Sequence, residues 1–179
     1  AKKLYSTFKE LGYFKIDNFF ENKVIDEIKS DLNNIITDKP KEIIFYHDRN
    51  NLLRRIEKFF NYTKILHKVN SDLLDFLENF FEKKYNLFKD KCKFKPPQGE
   101  GFYPHYDGIF NWVDHEGKKR NGLHDYAKEF INVLIVLDDF KEENGPLEIS
   151  SVHKGDFKSL LENTKKNGTP DLNKISAEK

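Results

Sequence analysis

Cysteine and methionine are almost absent from this sequence, which has one Cys, Cys92, and no Met among 179 residues. A single cysteine cannot form an intrachain disulfide, which excludes a disulfide-stapled secreted scaffold and favours a reducing cytoplasm. No apolar run approaches the roughly 20 residues that span a bilayer, and the N-terminus lacks the apolar core of a signal peptide. We therefore expect a cytoplasmic protein without a membrane segment.

An excess of either charge is also missing. The 31 basic and 30 acidic residues nearly cancel, so no overall field attracts the chain to nucleic acid or to an anionic membrane. A small-molecule partner is the expected alternative. The length and the 37% hydrophobic content suit a single domain over residues 1–179 that buries a real core.

Helical periodicity dominates the first 84 residues. Apolar residues recur at helical spacing in three stretches, at residues 4–11, 22–36 and 73–81. Gly12 and Pro40 are suited to end the first two helices, and Asn70 or Ser71 to cap the third. In the same part, short apolar runs predict strands at residues 13–16 and 43–46, and the polar stretch 47–51 predicts a turn. This part, 1–84, is expected to be mainly helical.

Extended segments replace the helices in residues 85–179. The chain is expected to become extended towards residue 95, and strands are predicted at residues 102–107, 130–137 and 147–152, the last after a turn at 143–146. The run 130–137 is continuous, apolar and largely β-branched, which is typical of a strand buried on both faces. Helices followed by strands predict an α+β fold with an antiparallel sandwich or jelly roll. The long polar loop 111–128 is expected to be either a functional lid or a disordered segment.

His105 and Asp107 form a His-x-Asp step at the end of the predicted strand 102–107. Side chains two residues apart on a strand share a face, so this imidazole and this carboxylate could bind one cation. They would supply two ligands of a 2-His-1-carboxylate triad, which leaves positions open on Fe(II) for a bidentate co-substrate and O₂. A solvated surface turn is the other interpretation, because such a step is expected by chance in roughly half of chains of this composition.

Five motifs follow one another along the chain. They are FKELGYFKIDNFF at 8–20, KFKPPQGEGFYPHYDG at 93–108, NVLIVLDD at 132–139, ENGPLE at 143–148 and VHKG at 152–155. In order and spacing they resemble the phytanoyl-CoA dioxygenase family, and the resemblance covers nearly all of the chain.

The resemblance implies a fold, a reaction and a site. The expected fold is a double-stranded β-helix (jelly roll) with the N-terminal helices packed outside it. The expected activity is Fe(II)- and 2-oxoglutarate-dependent hydroxylation of a small molecule with O₂, with His105 and Asp107 as iron ligands. An Asp at 107, where related halogenases have Gly or Ala, favours oxygen insertion. Lys93 and Lys95, on the strand before the metal step, are candidates for binding 2-oxoglutarate, and edge-strand lysines that prevent aggregation are the alternative.

One departure from the family concerns the third iron ligand, a His followed by an Arg that binds 2-oxoglutarate. Both are expected beyond residue 179, so the jelly roll is expected to be incomplete at its C-terminal end, which also fits the missing methionines. His153 matches a family histidine that does not bind metal, and His115 and His124 lie in the polar loop. A non-catalytic jelly-roll module that binds a small molecule and lacks the third ligand remains the alternative function.

Overall fold

The computed structural model describes residues 2–96, 105, 107, 111–122, 129–147 and 149. These residues fall into two compact units. The first contains the described residues of 1–5, 15–100 and 137–146, and the second those of 6–14, 101–136 and 147–179. Within the described ranges, no helix combines the length and the apolar character needed to cross a membrane.

The first helix, α1 (Lys2–Leu11), ends as predicted at Gly12, whose φ of +80° is easy for glycine. The amide of Gly12 donates to the carbonyl of Phe8 at 2.8 Å and completes the last turn. The strand predicted at residues 13–16 is wrong, because these residues have no regular structure. No described strand pairs with them, and an apolar run without a hydrogen-bonding neighbour does not form a strand.

The second helix, α2 (Asn22–Asp38), confirms the prediction and buries one stripe, Ile28, Leu32 and Ile35. The third, α3 (Lys64–Phe81), is confirmed in type but begins earlier than predicted. Its N-cap is Thr63, whose hydroxyl accepts from the amide of Leu66 at 3.3 Å. The stripe extends back to Leu66 and Val69, both buried, so the tertiary contacts favour the earlier start over Asn70 or Ser71.

An antiparallel sheet joins β1 (Ile44–His47), β2 (Leu53–Glu57) and β3 (Lys91–Lys93) in the order β1-β2-β3. β1, the turn after it and the extended segment near residue 95 were predicted, whereas the central strand β2 was not. The side chain of Ile56 in β2 is fully buried. Helices combined with an antiparallel sheet confirm the α+β class. Two strands precede α3, so the predicted order of helices first and strands later is only partly right.

The second unit contains a hairpin of β4 (Asn111–Val113) and β5 (Lys119–Asn121). The irregular polar loop predicted at 111–128 is therefore wrong over residues 111–121, and residues 123–128 lie outside the described part. Asp114 organises the turn, since its carboxylate accepts from the amides of Glu116 and Lys118 and from Nε of Arg120, at 3.0, 2.9 and 2.8 Å. These bonds, led by that from Lys118, hold the pKa of the Asp114 carboxyl below its ordinary value.

The run at 130–137 is the main error in the predicted sheet. It forms no strand, and Val133, Leu134 and Val136 are exposed by 46, 59 and 49% instead of buried on both faces. No described strand pairs with this run, and a β-branched, apolar composition does not form a strand without a hydrogen-bonding neighbour. In the strand predicted at 147–152, Leu147 and Ile149 are likewise exposed and have no regular structure. The other residues of that segment lie outside the described part.

The predicted turn at 143–146 is confirmed as a 3₁₀ turn, Glu142–Asn144, followed by Gly145 with a φ of +64°. The described strands form one three-stranded and one two-stranded sheet. The complete jelly roll stays a prediction.

Candidate metal centre

His105 and Asp107 bring an imidazole and a carboxylate together, with Nε2 and Oδ1 3.2 Å apart. Their side chains are exposed by 35% and 64%, so water and small ions can reach both. His105 lies outside regular structure and Asp107 lies in a turn. The strand predicted at 102–107 is thus not found at these two residues, and its other four residues lie outside the described part. The predicted proximity is present, although a turn produces it instead of a strand.

Asn132 is the third side chain at this place. Its Nδ2 donates to Oδ2 of Asp107 at 2.9 Å. One carboxylate oxygen therefore faces the carboxamide and the other faces the imidazole. Sequence reasoning included Asn132 in a motif without assigning it a role. Its role could have been suspected from its position, because Asn132 is the one polar residue within the apolar run 130–137.

The pair fits a divalent transition metal in spacing and donor type. Two donors bound at right angles to one ion, each at about 2.1 Å, lie about 3.0 Å apart, close to the 3.2 Å observed. Imidazole nitrogen with carboxylate oxygen is the donor set of non-haem iron centres. In the part of the chain that is described, no group of three His, Cys, Asp or Glu residues is placed to hold a metal ion, so the pair would supply two ligands of an incomplete set.

None of the other three histidines after Asp107 is seen to approach His105 and Asp107 as a third metal ligand in the described part of the chain. His115 lies in the β4–β5 turn with its side chain 90% exposed, and its Nε2 is 3.9 Å from Oε1 of the neighbouring Glu116. His124 and His153 lie outside the described residues.

Lys93 and Lys95, the candidates for 2-oxoglutarate, belong to the first unit and are both exposed. Nζ of Lys95 donates to the carbonyl of Gly145 and lies 5.6 Å from the centre of the Phe140 ring. Lys95 also borders an open pocket of about 410 Å³ with four other residues, Leu52, Leu53, Phe94 and Pro96. The side chain of Lys93 has no hydrogen-bond or ion-pair partner among the described residues.

Charges near Lys93 are unevenly paired. Lys93 lies opposite Arg55 in the sheet, and like charges in this position repel. Arg55 is compensated, because its Nε lies 3.0 Å from the buried carboxylate of Glu57, which Nζ of Lys89 also approaches at 3.0 Å. As far as the structure describes the chain, Lys93 is therefore the cation of this pair without an anionic partner, and a carboxylate ligand would relieve the repulsion.

Cys92 is not suited to act as a nucleophile. Burial, and secondarily the negative charge of Asp138, raises the pKa of its thiol to about 12. The reactive thiolate is therefore scarce at neutral pH.

The sequence profile of the phytanoyl-CoA dioxygenase (PhyH) family matches residues 8–158. The chain belongs to the phytanoyl-CoA dioxygenase family. The match spans most of the chain and includes His105, Asp107 and Asn132. The resemblance expected from the motifs is confirmed. No curated protein and no solved structure gives a significant match.

Membership of the phytanoyl-CoA dioxygenase family makes the chain a dioxygenase-type protein. The family in general depends on Fe(II) and 2-oxoglutarate and uses O₂ and small-molecule substrates.

Proposed function

We propose that this protein is an Fe(II)- and 2-oxoglutarate-dependent dioxygenase that hydroxylates a small molecule, on a jelly-roll fold. The observation that carries the proposal is the pair of His105 and Asp107, with 3.2 Å between imidazole nitrogen and carboxylate oxygen, inside the stretch that matches the family.

In this proposal His105 and Asp107 hold the iron. A neutral imidazole donates a nitrogen lone pair, and the carboxylate lowers the net charge of the centre. Fe(II), when bound with 2-oxoglutarate, supplies the activation of O₂ that inserts oxygen into the substrate. Asp107 would fill the metal position that a halide ion takes in the related halogenases, which have Gly or Ala there. This supports hydroxylation over halogenation.

Lys93 and Lys95 are proposed to bind carboxylates of 2-oxoglutarate. Lys93 is the stronger candidate, because its ammonium lies opposite Arg55 and has no anionic partner within the described ranges, whereas the ammonium of Lys95 already donates to Gly145. A lysine attracts a carboxylate as a point charge, and the attraction is larger where no other anion competes.

The first experiment compares the Asp107→Ala and His105→Ala variants with wild type. We expect each to bind Mn(II), as a probe for Fe(II), at least about tenfold more weakly, since each removes a ligand, and to lose 2-oxoglutarate-dependent O₂ consumption. His115→Ala removes an exposed imidazole elsewhere and should match wild type. Turnover at the wild-type rate in Asp107→Ala would contradict the proposed ligands.

A second pair of variants tests the lysines. Lys93→Ala should raise the KM for 2-oxoglutarate and leave Mn(II) affinity unchanged, whereas the exposed control Lys41→Ala should change neither. An unchanged KM would assign Lys93 to the edge-strand alternative. A protein that binds Mn(II) but shows no turnover with any substrate tested would instead favour the non-catalytic binding module.

A further inference from the structure

We propose that Asn132 is a positioning residue, which orients the carboxylate of Asp107 so that a single oxygen, Oδ1, is presented to the metal beside His105. This inference rests on the proposed function, because it assumes that Asp107 is a ligand. It adds to the site a residue that lies outside the His-x-Asp step.

The two oxygens of Asp107 have different neighbours. Oδ2 accepts from Nδ2 of Asn132 at 2.9 Å, and Oδ1 lies 3.2 Å from Nε2 of His105. A carboxylate held at one oxygen loses the freedom to rotate about its terminal torsion, which is otherwise broad. The oxygen on the imidazole side is therefore the one presented to an ion, and the Asn132 bond disfavours binding through both oxygens because it fixes the orientation of the carboxylate and occupies one acceptor site of Oδ2.

Packing gives Asp107 little support of its own. The side chain is 64% exposed and lies in a turn, so few neighbouring atoms restrict its rotamer. Among the described residues its polar partners are His105 and Asn132 alone. The hydrogen bond from Asn132 is therefore the contact that can fix the ligand before the ion arrives.

A carboxamide is the appropriate group for this role. It donates a hydrogen bond without carrying charge, so it leaves the negative charge of Asp107 available to the cation. A lysine or arginine here would neutralise that charge and compete with the metal. The requirement also explains why a polar residue lies within the otherwise apolar run 130–137.

The test measures metal binding without turnover. Asn132→Ala and Asn132→Leu both remove the donor, and Leu keeps nearly the size of the original side chain. Mn(II) affinity is followed by the electron paramagnetic resonance signal of the free ion, and ligand geometry by the visible absorption of bound Co(II). Asn34→Ala, which removes an exposed carboxamide from α2, is the matched control, and the thermal unfolding midpoint is recorded for every variant.

We expect both Asn132 variants to bind Mn(II) about tenfold more weakly, as is typical when a partner of a metal ligand is lost. The Co(II) spectrum should shift as well, because the released carboxylate can bind through both oxygens. The unfolding midpoint should stay near that of wild type, since the bond lies at the surface, and Asn34→Ala should match wild type in every measurement.

Three results would overturn the inference, and they can be told apart. If Asp107→Ala binds Mn(II) as wild type does, the proposed ligand and the role of Asn132 both fail. If Asp107→Ala loses binding while Asn132→Leu keeps the wild-type affinity and Co(II) spectrum, only the positioning role fails and the proposed function stands. A merely structural role would lower the unfolding midpoint without changing the Co(II) spectrum, and that result would also reject the inference.

Discussion

The carboxylate of Asp90 accepts hydrogen bonds from three consecutive backbone amides, those of Lys58, Phe59 and Phe60, at 3.0, 2.6 and 2.8 Å. These amides follow β2 directly, and Lys58 has a φ of +66°, which few residues other than glycine adopt readily. The carboxylate therefore holds an unfavourable backbone conformation and connects the exit of β2 with the segment that leads to β3.

Replacing Asp90 with Ala should destabilise the protein by about 2–4 kcal/mol, because three amides lose a charged acceptor at once. The free energy of unfolding from urea titration measures the change. Asp26→Ala, which removes an exposed carboxylate from α2, is the control and should change stability by less than about 0.5 kcal/mol. Equal stabilities for the two variants would show that water replaces Asp90 without cost.

The proximity of the two proposed metal ligands could be predicted from the sequence, whereas the residues that contact and support their segments could not. His105 and Asp107 are separated by one residue, so their proximity is local and the His-x-Asp step indicates it directly. Asn132 and Asp90 act on partners about 25 and 30 residues away. Nothing in the local pattern specifies such contacts, because they depend on how distant segments of the chain approach each other.

At the level of elements, helices were predicted more reliably than strands. The stripes of α2 and α3 repeat within one segment, so the periodicity alone predicts the buried face. A strand depends on its neighbour. β2 was missed because Arg54, Arg55 and Glu57 make it polar, although its cross-strand partners and Ile56 secure it in the sheet, and residues 130–137 were overpredicted because apolar composition does not provide a neighbour.

Ile56 gives a direct test of the central strand. Because its side chain is fully buried, Ile56→Ala should cost about 2–5 kcal/mol and Ile56→Val about 0.5–1.5 kcal/mol in unfolding free energy. Val113→Ala, at a side chain that is 62% exposed in β4, should cost less than about 0.5 kcal/mol. Similar losses for Ile56→Ala and Val113→Ala would mean that β2 is not part of a packed core.

At the scale of the whole molecule, Cys92 is a built-in reporter, because it is the single cysteine of the sequence and lies on β3. Its pKa is raised from 9.0 to about 12 by burial and then by Asp138. Since the folded state favours the neutral thiol, this group's contribution to stability is complete below pH 9 and is lost as the pH rises towards 12.

We expect the thiol to react with a disulfide reagent at pH 8 at least about 100-fold more slowly in the folded protein than in urea, since three pKa units remove roughly 99.9% of the thiolate. The unfolding free energy should also decline between pH 9 and 11. Rapid labelling of the folded protein, at the rate seen in urea, would contradict the burial of Cys92. The urea-unfolded protein at the same pH is the control for intrinsic reactivity.

The β4–β5 hairpin has a consequence for the order in which the candidate metal centre assembles. His105 and Asp107 are neighbours even in an unfolded chain, but Asn132 reaches Asp107 only after a loop of 25 residues closes. Pairing of Asn111 with Asn121 takes ten residues out of that loop and leaves about 15 to be closed, which lowers the entropic cost by about 0.5 kcal/mol. Folding of the hairpin, guided by the turn at Asp114, thus shortens the chain that separates Asn132 from Asp107 and involves neither of the two proposed metal ligands. A local hairpin and a distant hydrogen bond are in this way thermodynamically coupled through the connecting chain.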